Sequence, residues 1–298
     1  MSITLIILPI FALILLGTLL KQVSGVTEEG WRGLERLIYF VFFPALLFHS
    51  LSRTHIDFSA ALPMLLTGLA VTLLGMGLGY ISKYLFHDPP KVFASAFQCS
   101  FRFNSYVGLA VAGALHGQAG IAAIGLLMGF LVPLANVVSV AVLAHHGEAR
   151  WLKEILGNPL IMATAGGVAF ALLGWPLPEL LTQTIGLLAQ ASLPIGLVAV
   201  GASLRLDSLS HARGHLWYGV NVKLLVLPAL TWWIGNSLGI TGLHFEIALL
   251  FAALPMSTVA YVLAVRMGGD GRITAAQVAV TTLLSMVTLP IWLALARG

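Results

Sequence analysis

Two cations, Arg102 and Lys223, stand inside long apolar stretches of this 298-residue chain, and their chemistry needs explaining first. Around Arg102 the sequence reads Cys99-Ser100-Phe101-Arg102-Phe103-Asn104-Ser105-Tyr106-Val107-Gly108, a polar, glycine-containing knot at the centre of an apolar run. A guanidinium presents a planar fork of donors that fits a carboxylate bidentately. Asn104 adds one acceptor and two donors, and Ser105 adds a hydroxyl. A second knot reads Ala253-Leu254-Pro255-Met256-Ser257-Thr258-Val259-Ala260. Its proline removes a backbone donor and clashes with the carbonyl four residues back, while Ser257 and Thr258 can satisfy the groups left open. The inventory of Arg102, Asn104, Ser105, Pro255, Ser257 and Thr258 suits a small carboxylate.

Plainer readings compete. Arg102 could serve only the backbone carbonyls of a broken helix. Lys223 lies about eight residues into its span, roughly 12 Å, so its stem can snorkel to the interface as readily as line a pathway. His49 is a protonation switch or a helix histidine bonded to a neighbour. Asn136 reads as a buried brace between helices, and Pro44 and Pro194 as interruptions of theirs.

These residues must be positioned by membrane-spanning helices. Charged residues make up 9% of the chain and hydrophobic ones 59%, against about 25% charged in a soluble domain; the mean hydropathy is +0.98. A span needs about 20 apolar residues, and ten stretches qualify: 3–20, 34–52, 61–85, 92–115, 119–144, 157–174, 183–204, 215–238, 245–267 and 273–296. Met1 to Leu20 lacks a basic n-region and an A-x-A site, so it reads as a retained first span. The single cysteine, Cys99, excludes an intrachain disulfide framework.

Loop charges set the orientation. The loops after the odd-numbered spans hold 11 cations: Lys21, Arg32, Arg36, Lys83, Lys91, Arg150, Lys153, Arg205, Arg213, Arg266 and Arg272. The opposite side holds 2, Arg53 and Arg297. The positive-inside rule then places both termini outside, periplasmic in a bacterial inner membrane.

Prolines mark an internal repeat. Pro9 and Pro159 open spans one and six, Pro44 and Pro194 interrupt spans two and seven, and both pairs lie 150 residues apart, as do Gly17 and Gly167. Five helices per half is an odd number, so the second half must be inverted, an architecture found in transporters that bind substrate near the midplane. The expected organisation is a first repeat at 1–144, a cytoplasmic connecting loop at 145–156 and a second repeat at 157–298.

All eleven acidic residues are expected in loops or at helix ends: Glu28, Glu29, Glu35, Asp57, Asp88, Glu148, Glu154, Glu179, Asp207, Glu246 and Asp270. A sodium/proton antiporter would need carboxylates at the midplane. No P-loop, HExxH or paired carboxylate occurs, and no Ser/His or Asp pair is expected at one depth. An intramembrane enzyme is therefore disfavoured, and the missing output domain disfavours a sensor.

At this point the chain resembles a family. Phe101-Arg102-Phe103-Asn104-Ser105-Tyr106-Val107-Gly108-Leu109 is similar to the FRNTGFIGLP segment of the auxin efflux carrier family, whose bacterial members include carriers of malonate and malate. Asn158-Pro159-Leu160, the run Pro133-Leu134-Ala135-Asn136-Val137-Val138-Ser139-Val140, Ala191-Ser192-Leu193-Pro194 and Leu254-Pro255 extend the likeness along the whole chain. The resemblance implies an all-α polytopic membrane protein of ten helices, a five-plus-five inverted repeat whose broken fourth and ninth helices cross. It implies an elevator-type secondary carrier rather than an enzyme, with Asn104, Ser105, Pro255 and the residues after it at the crossover. Phe103 is inserted between Arg102 and Asn104, and Met256 stands where plant carriers have lysine, so a site of the auxin type is not implied.

The expected function is transport of a mono- or dicarboxylate across a cell membrane. The alternative is a sodium-coupled organic-anion symporter of the bile-acid type. No cofactor, metal or nucleic acid is called for; a proton or sodium ion is the candidate coupling species and a homodimer the candidate assembly.

Overall fold

The computed structural model describes residues 3–54, 58–143, 158–175, 177–205 and 213–297. The expected loop at 145–156, with Glu148, Arg150, Lys153 and Glu154, lies outside the described residues, as do Asp57 and Asp207. All regular structure among the described residues is helical: α1 Ile3–Val23, α2 Glu28–Leu51, α3 Phe58–Phe86, α4 Pro90–Cys99, α5 Ser105–Leu143, α6 Pro159–Leu173, α7 Glu179–Ser203, α8 at 213–237, α9 Gly242–Ala253, α10 Thr258–Arg266 and α11 Gly271–Arg297. Among the described residues six helices are long and apolar enough to cross a membrane, or seven when the bent pair α9 and α10 counts as one span.

Hydropathy alone misplaces several ends. Helix α2 starts at Glu28, not at 34, because the Thr27 side chain accepts from the Gly30 amide at 3.1 Å and Glu28 and Glu29 favour a helix N-terminus. Glu35 consequently lies two turns inside the helix and not at its end. Pro9 sits within α1 instead of opening it. Neither Pro44 nor Pro194 interrupts its helix. A wide π turn at Ile38–Phe42 carries α2 into Pro44, and α7 runs on through Pro194. Helix α8 repeats the device, with a π turn at Val222–Val226 ahead of Pro228. Pro228 has no N–H for the Leu224 carbonyl, and the Trp292 indole donates there instead, at 2.8 Å. Gly117 has φ 58 and ψ −139, a conformation that glycine adopts without strain, and it breaks α5 near residue 117.

The chain forms two compact units. One draws on residues 1–61, 106–130 and 151–203. Within it α1 packs along α7, and α2 packs against α6 and α7. Glycine permits these approaches: a Cβ at Gly17 would overlap the Val198 backbone, one at Gly201 the Ile14 carbonyl, and one at Gly167 the Leu51 side chain. Without a hydrophobic driving force between helices in lipid, such close backbone contact is what holds spans together. Thr18 and Ser192 add hydroxyl bonds to the carbonyls of Gly201 (3.0 Å) and Phe42 (2.5 Å).

The other unit draws on residues 62–105, 131–150 and 204–298. Its spine is α11, which packs against α4, α8, α9 and α10. The buried face of α11 carries Thr274, Gln277, Thr281, Thr282 and Ser285, all fully buried. A satellite of Phe93, Phe97, Phe101 and Ala135 packs α4 against α5.

Candidate functional site

Both knots in the sequence are breaks in the structure. Helix α4 ends at Cys99 and α5 begins at Ser105; α9 ends at Ala253 and α10 begins at Thr258, bent from α9 by 42°. Leu254 (ψ 143) and Ser257 (ψ 130) are extended, so four residues leave the helical path between α9 and α10, tied to the two helix ends by turn bonds from the Leu254 amide to Phe251 (3.4 Å) and from the Ala260 amide to Ser257 (3.1 Å).

Every backbone group released there needs a partner, and α4, α8, α11 and the other break each supply one. In an unbroken helix the Met256 amide would bond the Ala252 carbonyl. It donates instead to Thr281 Oγ1 at 3.1 Å, and the Ala252 carbonyl receives Lys223 Nζ at 3.4 Å. The Asn104 amide, which a continuous helix would send to Ser100, donates to the Pro255 carbonyl at 2.9 Å. On the far side of the second break, Gln98 Nε2 donates to the Ala260 carbonyl at 3.0 Å. The inserted Phe103 packs edge-on against Phe251, ring centroids 4.5 Å apart.

All six residues singled out for anion binding belong to this one unit. Arg102 is 7% exposed and Asn104 1%; Pro255 and Ser257 are buried, and Ser105 and Thr258 half-buried. Asn104 and Pro255 are joined directly, with Arg102 two residues before one and Ser257 and Thr258 just after the other. Ser257 precedes α10 without capping it by its side chain; its carbonyl accepts from the Ala260 amide at 3.1 Å.

The remaining candidates separate. Lys223 does not snorkel: it is 1% exposed and turned to α9, because the π turn it occupies carries it inward while Leu225 and Val226 stay exposed. Asn136 is half-buried and makes no hydrogen bond among the described residues, so it is no buried brace; on its helix Ser139 is the buried polar group, bonded to the Ala135 carbonyl. His49, Pro44 and Pro194 belong to the other unit, where His49 is half-buried and meets Arg53 at 3.5 Å.

Sequence reasoning missed Gln98, Gln277 and Thr281, although polar residues at 274, 277, 281 and 285 follow helical spacing within an apolar span. It also missed a row of Ser82, His215 and Asp88. His215 Nδ1 meets Asp88, and Nε2 lies 3.1 Å from Ser82 Oγ. A Ser/His/Asp set at one depth therefore does exist. Its chemistry is structural: Ser82 is buried and donates its proton to the Gly79 carbonyl at 2.6 Å, and Phe86 stacks on the imidazole at 4.8 Å. That hydroxyl is spent on backbone, not aimed at a substrate.

A profile of the family described as membrane transport protein matches residues 142–293. Among curated proteins, an "Uncharacterized transporter" of Methanothermobacter thermautotrophicus is 28% identical over 296 residues, covering 96% of each chain. A "Putative malonate transporter" of Rhizobium meliloti is 28% identical over 300 residues, covering 96% of this chain and 93% of its own. The "Uncharacterized transporter YfdV" of Escherichia coli K12 is 22% identical over 308 residues, covering 98% of this chain and 96% of its own.

Proposed function

Because the chain belongs to the membrane transport protein family, the family of the auxin efflux carriers, we propose that it is a secondary active carrier of a small organic anion. The substrate class is a mono- or dicarboxylate, and the Rhizobium relative named for malonate supports that choice. The observation that carries the reading is the bond between Asn104 and Pro255, which draws two broken helices together beside a buried guanidinium. Half-helix N-termini favour anionic groups through the helix dipole. Arg102 supplies the bidentate fork, Asn104, Ser105, Ser257 and Thr258 supply neutral donors, and Pro255 holds the break open.

Several features support ten spans in a five-plus-five inverted repeat. Gly17 of α1 packs on Val198 of α7, and Gly167 of α6 packs beside Phe48 of α2; both partners shift by the same 150 residues. Ser192 bonds Phe42, its own counterpart at that offset. The breaks at 100–104 and 254–257 keep nearly the same spacing. Each compact unit takes residues from both halves of the sequence, which supports an elevator in which the unit holding the six residues moves as one body. The excess of cations in alternate loops supports a cell-membrane location with both termini outside.

The test is a thermal-unfolding series in detergent with malonate, succinate and acetate, on wild type, Arg102→Ala and Arg102→Lys. Carboxylates are expected to stabilise wild type and to lose roughly 10-fold or more in affinity in both variants, the loss of a charge-assisted hydrogen-bonded pair. Equal stabilisation of all three proteins removes Arg102 from the site.

A further inference from the structure

We propose that Lys223 is a tethered counter-cation for the carbonyl end of α9, so that anion binding at the breaks needs no sodium ion. The last carbonyls of a helix lack partners and carry about half a negative charge. In carriers with discontinuous helices such ends are where coupling cations bind. Here the end is occupied by a side chain. Met256 has given its amide to Thr281, and the Ala252 carbonyl it abandoned faces the Lys223 ammonium at 3.4 Å. The ammonium also lies 6.0 Å from the centre of the Phe251 ring, so a second face of the same helix end meets positive charge.

The placement is built into α8. Lys223 is the second residue of the π turn, its neighbours Val222 and Leu224 are buried, and Val222 packs with Ala252 in one apolar cluster with Val71 and Leu227. A lysine on an ordinary lipid-facing position would extend to the interface; this one is enclosed. Among the described residues no carboxylate pairs with it, and the carboxylates of Asp88 and Glu246 are engaged by His215 and Arg297. The peptide dipole of α9 is therefore the negative partner. A sodium ion entering the same carbonyl end would sit against an ammonium and be repelled.

The inference rests on the carrier reading for its functional weight, while its physical core can be tested without any anion. Purified wild type in detergent is compared in sodium chloride and choline chloride at equal ionic strength. Lys223→Ala is measured in the same salts and with methylammonium, ethylammonium and propylammonium chloride. The expected result is no sodium-specific shift for wild type. For Lys223→Ala a lowered unfolding midpoint should be raised again by roughly 2–4 °C with the small alkylammonium ions and not with choline. Failure of every amine to shift the variant more than wild type overturns the proposal, as does sodium-specific stabilisation of wild type. If Lys223→Ala cannot be recovered, Lys223→Met replaces it; loss of stability regained with Lys223→Arg supports the proposal, and full stability of the methionine variant overturns it. Malonate added to wild type in choline separates the two readings. Stabilisation only when sodium is present removes the tethered cation and leaves the carrier. No stabilisation in either salt removes the anion site and leaves the amine result to stand alone.

Discussion

The Asn104 amide reaches the Pro255 carbonyl at 2.9 Å, so two helix breaks are joined by a main-chain bond between residues 151 positions apart. The side chain of Asn104 is thereby separated from the role of its backbone. Asn104→Ala keeps the bond, whereas Asn104→Pro deletes the donor and strands a buried carbonyl, at a cost of about 1–3 kcal/mol. Thermal unfolding should rank wild type, alanine and proline in falling order, with most of the loss at proline. Equal losses in both variants would show that the main-chain bond ties nothing together.

Thr281 both donates to the Gln277 carbonyl at 2.7 Å and accepts from the Met256 amide at 3.1 Å. Thr281→Val is nearly isosteric and leaves a buried N–H unmet, so a loss of about 1–3 kcal/mol is expected. Thr281→Ser should recover most of it. A valine variant as stable as wild type would mean that Met256 finds another acceptor.

In the other unit, Gly201→Ala would drive a Cβ into the Ile14 carbonyl, where backbone cannot yield as a side-chain tip can. Overpacking of this kind costs typically about 1–3 kcal/mol. Gly33→Ala is the control: it lies in α2 with nothing within 4 Å of a new Cβ, and the gain in helix propensity should leave it neutral or slightly more stable. Similar effects at both positions would argue that close helix contact contributes nothing here.

Trp292 and Pro228 should be energetically coupled, because the indole fills the carbonyl that the proline cannot serve. Trp292→Phe is expected to cost about 1 kcal/mol in wild type and clearly less in Pro228→Ala, where a helical amide becomes available. A double-mutant cycle on unfolding midpoints measures this; strictly additive effects would contradict it.

The breaks were legible from sequence because their causes are local. Pro255 deletes a donor wherever it stands, and a polar run such as Arg102 to Ser105 is conspicuous among apolar residues. The start of α2 was hidden because five of its first ten residues, Glu28, Glu29, Arg32, Glu35 and Arg36, are charged, so a hydropathy window rejects a turn that Thr27 caps. The direction of Lys223 was not legible either. A π turn rotates every following residue relative to an α-helix, and only the structure reveals that turn. Gln98 and Thr281 look like ordinary packing residues, since nothing local reveals that their partners lie 162 and 25 residues away. The row of Ser82, Asp88 and His215 escaped for the same reason, its ends being 133 residues apart.

Four of the five hydroxyls along α11 are bonded to carbonyls of the same stretch of chain: Thr274 to Asp270, Thr281 to Gln277, Thr282 to Val278 and Ser285 to Thr282. Most of the hydroxyl protons on this rod are thereby placed without help from its neighbours. What it carries in unspent are oxygen lone pairs. The fractured pair α9 and α10 finds on that rod an acceptor already oriented, and its loose Met256 amide is met without the bilayer having to solvate it.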